Sequence, residues 1–138
     1  MKRGDKDYQR LVHMIKYCEK LKAVGKSMNN EYTNFIAREN YEKIDVSSFY
    51  IGQIGELTHG LTERFKNEHL EIPWKQIVDM RNTLVHRYGT RNSRIIWDVI
   101  AKDIPLLQEQ CQTILVQIDP DIVDEIKDAL KEETDIIP

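Results

Sequence analysis

The sequence predicts an all-α protein, an antiparallel up-and-down bundle of about five to six helices. Apolar residues recur three and four positions apart almost throughout, and no segment shows the strict alternation of a strand. Short polar, glycine-containing or proline-containing stretches separate the periodic segments. The composition, 41% hydrophobic and 31% charged, is typical of amphipathic helices in a soluble protein. The 138 residues contain no repeat or linker, so residues 1–138 are expected to form one domain.

Two helices are expected in the first 40 residues. Asp5 or Asp7 can cap the first, which is expected to end near Gly25 and the polar stretch 27–30. Its apolar positions are Tyr8, Leu11, Val12, Ile15 and Leu21. A shorter helix is predicted over about residues 31–40, with three side chains directed inward: Tyr32, Phe35 and Ile36.

Ser47 is expected to cap a third helix. Its apolar residues are Ile51, Ile54, Leu57, Leu61 and Phe65. Three glycines fall in the same segment, at 52, 55 and 60, and each costs about 1 kcal/mol relative to alanine in a helix. Glycines retained at such a cost indicate that helices approach one another closely there.

The C-terminal half predicts three more helices. Pro73 fits the first turn of the fourth and Gly89 its end. The apolar side of this helix consists of Trp74, Ile77, Val78, Leu84 and Val85. Ser93 is expected to open a fifth helix that Pro105 kinks, with Trp97, like Trp74, as a core anchor. Asp119 is expected to cap an acidic final helix over about residues 119–133.

No segment of the sequence suggests a membrane protein. No apolar run approaches the roughly 20 residues that span a bilayer, and the charged N-terminus does not resemble a signal peptide. Cys18 and Cys111 lie among apolar residues and are expected to be reduced core thiols of a cytoplasmic protein.

The formal net charge of −3 is unevenly distributed along the chain. Residues 1–26 carry eight basic and three acidic side chains, whereas residues 119–135 carry two basic and eight acidic ones. The basic helix, with Tyr8 and Tyr17, could contact nucleic acid. The acidic helix could bind a basic partner or shield arginines of the same chain. Ordinary solvated helix faces remain the alternative for both ends.

Residues 81–88 read Arg-Asn-Thr-Leu-Val-His-Arg-Tyr, which places a fixed cation, a titratable imidazole and a phenol within about two helical turns. Arg81 and Tyr88, seven positions apart, share a helix face, whereas Arg81 and His86, five apart, diverge by about 140°. One helix therefore does not easily direct both at the same atom. A two-fold axis through this region would bring Arg81 and His86 of two chains together, which predicts a composite site in a homodimer.

Such a site suits the cleavage of RNA without a metal ion or cofactor. His86 would take a proton from a ribose 2′-hydroxyl or return one to the leaving 5′-oxygen. Arg81 would stabilise the charge that develops at phosphorus. Asn82 could orient the imidazole or bind a phosphate oxygen. Three further side chains could attract RNA phosphates: Arg87, Arg91 and Arg94.

This pattern resembles the HepT-like toxins of the HEPN superfamily, whose R-x4-H-x-Y motif stands here as Arg81, His86 and Tyr88. The likeness covers about residues 45–115 and includes Ile54-Gly55-Glu56, Pro73-Trp74, Trp97 and Pro105-Leu106. It implies a HEPN-like helical bundle, a homodimer and a toxin that is a metal-independent endoribonuclease. It also implies a cognate antitoxin of the minimal nucleotidyltransferase (MNT) type, which transfers AMP from ATP to the motif tyrosine, here Tyr88. AMP beside Arg81 and His86 would fill the cleft with bulk and negative charge.

Several alternatives remain open. An arginine and a histidine near the end of a helix can simply stabilise its dipole. A HEPN domain could be a non-catalytic subunit that binds, or is modified by, a nucleotidyltransferase, and an unrelated helical interaction protein is a further possibility. Glu56 and His59 form an E-x-x-H, the spacing of di-iron bundles. Because a second such motif is missing from the sequence, Glu56 is instead expected to pair near the fourth helix, with Arg81.

Overall fold

A computed structural model describes residues 1–86 and 92–136, with side chains through Leu84 in the first range and through Glu133 in the second. Every regular element in these ranges is helical, which confirms the predicted all-α class. The α-helices are α1 (Lys6–Ser27), α2 (Tyr32–Phe35), α3 (Tyr41–Gly60), α4 (Glu63–Glu68), α5 (Trp74–His86), α6 (Ser93–Asp98), α7 (Ile104–Val116) and α8 (Ile122–Ile136). A 3₁₀ turn (Arg38–Asn40) precedes α3, and a π-helical turn (Val99–Asp103) joins α6 to α7.

Helix α1 packs against α3, α7 and α8 in the middle of the bundle. Gln108 of α7 donates to Glu19, and Gly25 meets Ile100 of the π-helical turn, so α7 runs antiparallel to α1. Side chains at most 2% exposed form the centre of this core: Leu11, Met14, Ile15, Cys18, Leu21, Phe35, Ile54, Ile72, Ile96, Cys111 and Leu115. Their spacing in α1 is the three-and-four pattern from which the helix was predicted.

Helix α3 also packs on α1 and is antiparallel to it. Thr58 donates to the Met14 sulfur, 3.9 Å away, and near the start of α1 both carboxylate oxygens of Asp7 accept from Thr62, from its amide at 2.9 Å and its hydroxyl at 2.7 Å. Asp7 therefore joins α1 to the segment after α3. Asp5 stands at the position before α1, but its side chain makes no capping hydrogen bond there.

Helix α5 packs along α3 and only one of its faces is covered. The rings of Phe65 and Trp74 lie 5.8 Å apart, and Trp74 Nε1 donates to the His69 carbonyl at 3.0 Å, which anchors the start of α5 against α4, the helix that follows α3. From this anchor α5 runs antiparallel to α3 until Gly55 meets Arg81. The apolar residues further along α5 are only partly buried: Ile77, Val78, Met80 and Leu84.

The predicted kink near Pro105 takes the form of the π-helical turn. Helices α6 and α7 follow each other without a break through this turn, and Pro105 lies in the first turn of α7. A proline lacks the amide that would bond the preceding turn, and a widened turn accommodates that loss. Trp97 stacks on Phe35 at 5.0 Å and is 7% exposed, as expected of a core anchor.

The acidic helix α8 lies on the basic helix α1 of the same chain. Arg3 pairs with Glu125 at 3.7 Å, and Lys20 pairs with Glu133 at 3.6 Å. Both pairs are exposed, so their attraction is weak and screened by salt. The predicted helix exists, and two of its acidic side chains pair with basic residues of the N-terminal segment.

Asp119 does not cap α8 directly. The helix begins at Ile122, and the buried Asp119 carboxylate precedes it, accepting from the Asp121 amide at 3.2 Å and from the Tyr8 hydroxyl at 3.1 Å. Burial, together with the hydrogen bond to Asp119, raises the pKa of Tyr8. A residue expected to serve one helix end thus also connects that end to α1.

Three predictions for the central segment are wrong. Ser47 does not begin a helix: α3 starts at Tyr41, and Ser47 is fully buried within it, because its small side chain fits the inner face. Ile36 is 46% exposed rather than inward, since α2 already ends at Phe35. Phe65 is buried but belongs to α4, whose cap Thr62 accepts from its amide.

Within the described ranges, no helix combines the length and the apolar character needed to cross a bilayer.

Candidate active site

Arg81 lies where α5 comes closest to α3. A Cβ added to Gly55 would come within 2.6 Å of Arg81 Cγ and 3.5 Å of its Cα. Helices that carried a side chain there would have to separate, because packed interiors have no spare volume of this size. The predicted close approach is confirmed at Gly55, whereas at Gly60 an added Cβ would meet only the end of the flexible Arg10 side chain of α1. It is wrong at Gly52, where nothing lies within 4 Å of an added Cβ.

Two polar neighbours hold the Arg81 guanidinium. Nη2 donates to Oε1 of Glu56 on α3, and Nη1 donates to Oδ1 of Asn82 at 2.7 Å. The contact with Glu56 confirms the expected pairing. Arg81 is 30% exposed, and its remaining N–H donors have no partner among the described residues. A cation fixed in place with donors to spare is suited to bind an oxyanion.

His86 is the last residue of α5 and therefore lies on the same helix as Arg81. Five residues of helix separate the two backbones by about 7.5 Å along the axis and about 140° around it. The imidazole lies outside the described side chains. Four other positions of the predicted site or its helix end lie outside the described residues: Arg87, Tyr88, Gly89 and Arg91.

The protein-family comparison matches residues 14–114 to a family described as "Ribonuclease HepT-like". The chain belongs to this family. The matched range includes the Gly55–Arg81 contact, Glu56 and the whole of α5. The chain matches no solved structure.

Curated relatives of this HepT-like chain come from bacteria and archaea. A protein of Caldanaerobacter subterraneus named "Putative RNase" is 37% identical over 105 residues, which cover 76% of this chain and 90% of the relative. The "Probable ribonuclease HepT" of Thermococcus cleftensis is 30% identical over 113 residues, 78% of this chain and 93% of the relative. An RNase-named protein of Methanocaldococcus jannaschii is 28% identical over 88 residues, 64% of this chain and 71% of the relative.

An apolar groove lies beside the site of this HepT-like chain, between α3, α5 and α7. Its volume is about 370 Å³, and its apolar walls include Ile51, Ile54, Ile77, Met80, Ile104 and Leu107. At its rim Leu106 is 55% exposed. Sequence periodicity predicted the apolar side of α5 but did not reveal that much of this side stays only partly buried in the single chain.

Arg94, a predicted RNA contact, is held against the bundle. Its guanidinium lies 4.7 Å from the centre of the Tyr32 ring, and its Nε is 3.4 Å from Asp98 Oδ1. The side chain is 60% exposed, so it stays accessible despite these contacts. A contact of Arg94 with RNA stays a prediction.

The two cysteines of the core do not offer a reactive thiol. Cys18 and Cys111 are free and buried; burial raises the pKa of Cys18 well above its ordinary range and that of Cys111 to about 12. Buried thiols of this kind stay protonated and unreactive. Among the described residues, no group of three or more His, Cys, Asp or Glu side chains is placed to hold a metal ion, and Glu56 of the E-x-x-H is engaged by Arg81.

Proposed function

We propose that this protein is an endoribonuclease that cuts RNA without a metal ion, through Arg81 and His86 at the interface of a homodimer. The observation that carries the proposal is the fixed guanidinium of Arg81, which Gly55, Glu56 and Asn82 hold on the helix that also bears His86. Membership of the HepT-like ribonuclease family supports the choice of RNA as substrate.

In the proposed reaction, the neutral imidazole of His86 accepts the proton of a ribose 2′-hydroxyl as the 2′-oxygen attacks the adjacent phosphorus. The bond from phosphorus to the 5′-oxygen breaks, and the protonated imidazole of the partner's His86 returns a proton to that oxygen. The products are a 2′,3′-cyclic phosphate and a 5′-hydroxyl. Arg81 donates to the non-bridging oxygens as negative charge accumulates there.

A homodimer is proposed because the apolar side of α5 is only partly covered in the single chain. Ile77, Met80 and Leu84 remain half-buried, and the adjacent groove opens to solvent. Since Arg81 and His86 diverge by about 140° on one helix, a second copy of α5 would complete the set of groups around one phosphate.

We further propose that the enzyme is the toxin of a toxin–antitoxin pair and that an MNT-type nucleotidyltransferase neutralises it by transferring AMP to Tyr88. The resemblance of Arg81, His86 and Tyr88 to the family's R-x4-H-x-Y motif supports this role. AMP attached seven residues after Arg81, on the same face of an ideal helix, would compete with an RNA phosphate by charge and bulk.

Expression of the wild type and of the His86→Ala and Arg81→Ala variants tests the catalytic proposal. We expect growth arrest and RNA decay with the wild type only. Purified wild type should cut RNA in the presence of EDTA and leave cyclic-phosphate ends. If all three proteins are equally harmless and none cuts RNA, the protein is a non-catalytic HEPN subunit.

Incubation with the cognate nucleotidyltransferase and ATP tests the modification. Intact-mass measurement should detect AMP adducts on the wild type and none on Tyr88→Phe, which should still cut RNA because the phenol takes no part in proton transfer. Adducts that persist on the phenylalanine variant would refute the assignment of Tyr88.

A further inference from the structure

Outside the Arg81 site, aromatic side chains form a continuous strip across α1 and α3. The Phe49 and Tyr50 rings lie 6.0 Å apart, and the Tyr50 and Tyr17 rings 5.7 Å apart. The Lys20 ammonium lies 5.6 Å from the centres of both tyrosine rings. Phe49 is 55% exposed, an unusual position for an apolar ring in a helix whose inner face is otherwise well filled.

The strip leads toward the Arg81 site. Phe49 and Glu56 are seven residues apart on α3 and therefore share a face to within about 20°, about 10 Å apart along the axis. Glu56 in turn contacts Arg81. The Phe49 ring thus lies on the face where Glu56 meets Arg81. Its distance from the proposed scissile phosphate corresponds to about one or two nucleotides of RNA.

We infer that this aromatic strip (Phe49, Tyr50, Tyr17 and Lys20) binds the single-stranded RNA that flanks the cleavage site, with a base stacked on Phe49. The inference rests on the proposed ribonuclease function. Bases of single-stranded RNA stack on exposed aromatic rings, whereas paired bases are already stacked. The strip therefore selects unpaired RNA.

The charges around the strip favour stacking over phosphate contact. Glu42 and Asp45 lie on the same side of α3 as Phe49, and the Lys20 ammonium is shared with Glu133 of α8 at 3.6 Å. A surface of such mixed charge attracts a phosphate backbone weakly, so the uncharged bases supply the recognition. The contribution of Phe49 should consequently change little with salt, unlike binding through phosphates.

Steady-state cleavage of two substrates tests the inference. Phe49→Ala should raise the KM for a single-stranded RNA of about ten nucleotides by about tenfold, the expected loss of one stacked base. The same variant should cleave a dinucleotide like the wild type, because that substrate has no flanking base. Leu70→Ala, which removes another exposed apolar side chain (75% exposed) from the loop before α5, is the matched control and should alter neither substrate.

Phe49→Trp gives a second, direct readout. It should keep the wild-type KM, and its exposed indole should be quenched when RNA binds to an Arg81→Ala background that does not cut, since the native Trp74 and Trp97 are buried. A wild type that cuts no RNA would remove the proposed function. If the wild type cuts RNA but Phe49→Ala keeps the wild-type KM for the long substrate, the RNA-binding role of the strip is wrong. The same holds if Phe49→Ala is equally impaired on both substrates. Loss of the dimer in Phe49→Ala would assign the ring to a contact between copies.

Discussion

The core around α1 and the outer face of α5 are built on the same helical periodicity but are filled very differently. Met14, Ile15 and Leu21 of α1 have no exposed surface, whereas Ile77, Met80 and Leu84 of α5 are partly exposed. Helix α1 is enclosed by α3, α7 and α8, while α5 rests on α3. The difference teaches that stability resides in the first region, which leaves the second free to present groups to the proposed partner chain and to the proposed RNA substrate.

One glycine lies at a close approach between the two regions. Because Gly55 has no side chain, α5 approaches α3 closely enough for Glu56 to reach the Arg81 guanidinium. A cation on the partly exposed helix α5 is thereby held in place by the side chains of Glu56 and Asn82. The proposed active site depends on the packing of the core without being part of it.

The largest expected effect belongs to Arg81. Arg81→Ala should reduce kcat on RNA by about 100-fold or more, the usual loss when a donor to a developing oxyanion is removed. Its melting temperature should stay near that of the wild type, because the side chain is partly exposed. Arg64→Ala, which removes an 89% exposed arginine paired with Glu68, is the control and should change neither quantity. Equal loss of activity in both variants would point to overall charge instead of the site.

Two methionines compare the regions directly. Met14→Ala should lower the free energy of unfolding by about 2–5 kcal/mol, because it leaves a cavity in the core. Met80→Ala should lower it by about 1 kcal/mol, since its side chain is already partly exposed. Urea titration measures both, and sedimentation should show that only Met80→Ala weakens self-association. A Met80→Ala variant as unstable as Met14→Ala would place α5 inside the core.

A pair of glycines tests the contact between the regions. Gly55→Ala should destabilise the fold by about 1–3 kcal/mol, as overpacking does, and should reduce RNA cleavage because Arg81 is displaced. Gly52→Ala, where an added Cβ meets nothing within 4 Å, should instead stabilise α3 by about 0.5–1 kcal/mol and leave cleavage unchanged. Thermal melting and initial rates decide between these outcomes. Wild-type activity in Gly55→Ala would mean that the close approach does not position Arg81.

The smallest effect concerns pH. Because burial raises the pKa of Tyr8 above its ordinary value of 10.0, the folded state holds this proton more tightly than the unfolded chain does. The stabilisation that this proton gives the folded state is present in full below about pH 10. It is lost as the pH rises through the raised pKa of Tyr8. Between about pH 9 and about pH 11, the melting temperature of Tyr8→Phe should fall less steeply than that of the wild type. Both cysteines titrate alike in the two proteins, so parallel curves would contradict a role for Tyr8.

Features that depend on local pattern were predictable. The all-helical class, the long helices and the buried positions of Trp74 and Trp97 follow from periodicity and side-chain size. The Glu56–Arg81 pair was also predictable. Without a second E-x-x-H motif, Glu56 was not expected to bind a metal ion, and an ion pair with an arginine of the next long helix was the remaining role for its carboxylate. Ser47 misled because a small polar residue is equally suited to a helix cap and to a tight helical interior.

The sequence by itself determined the all-helical class and most of the helical segments, and it supplied the residues of the proposed site, since both rest on neighbours within one or two turns. Only the tertiary structure decided that Gly55, and not Gly52, receives Arg81, that Asp119 reaches Tyr8, and that the apolar side of α5 stays half open. These outcomes join residues far apart in the chain. They are set by how whole helices fill space against one another, which no local pattern of residues contains.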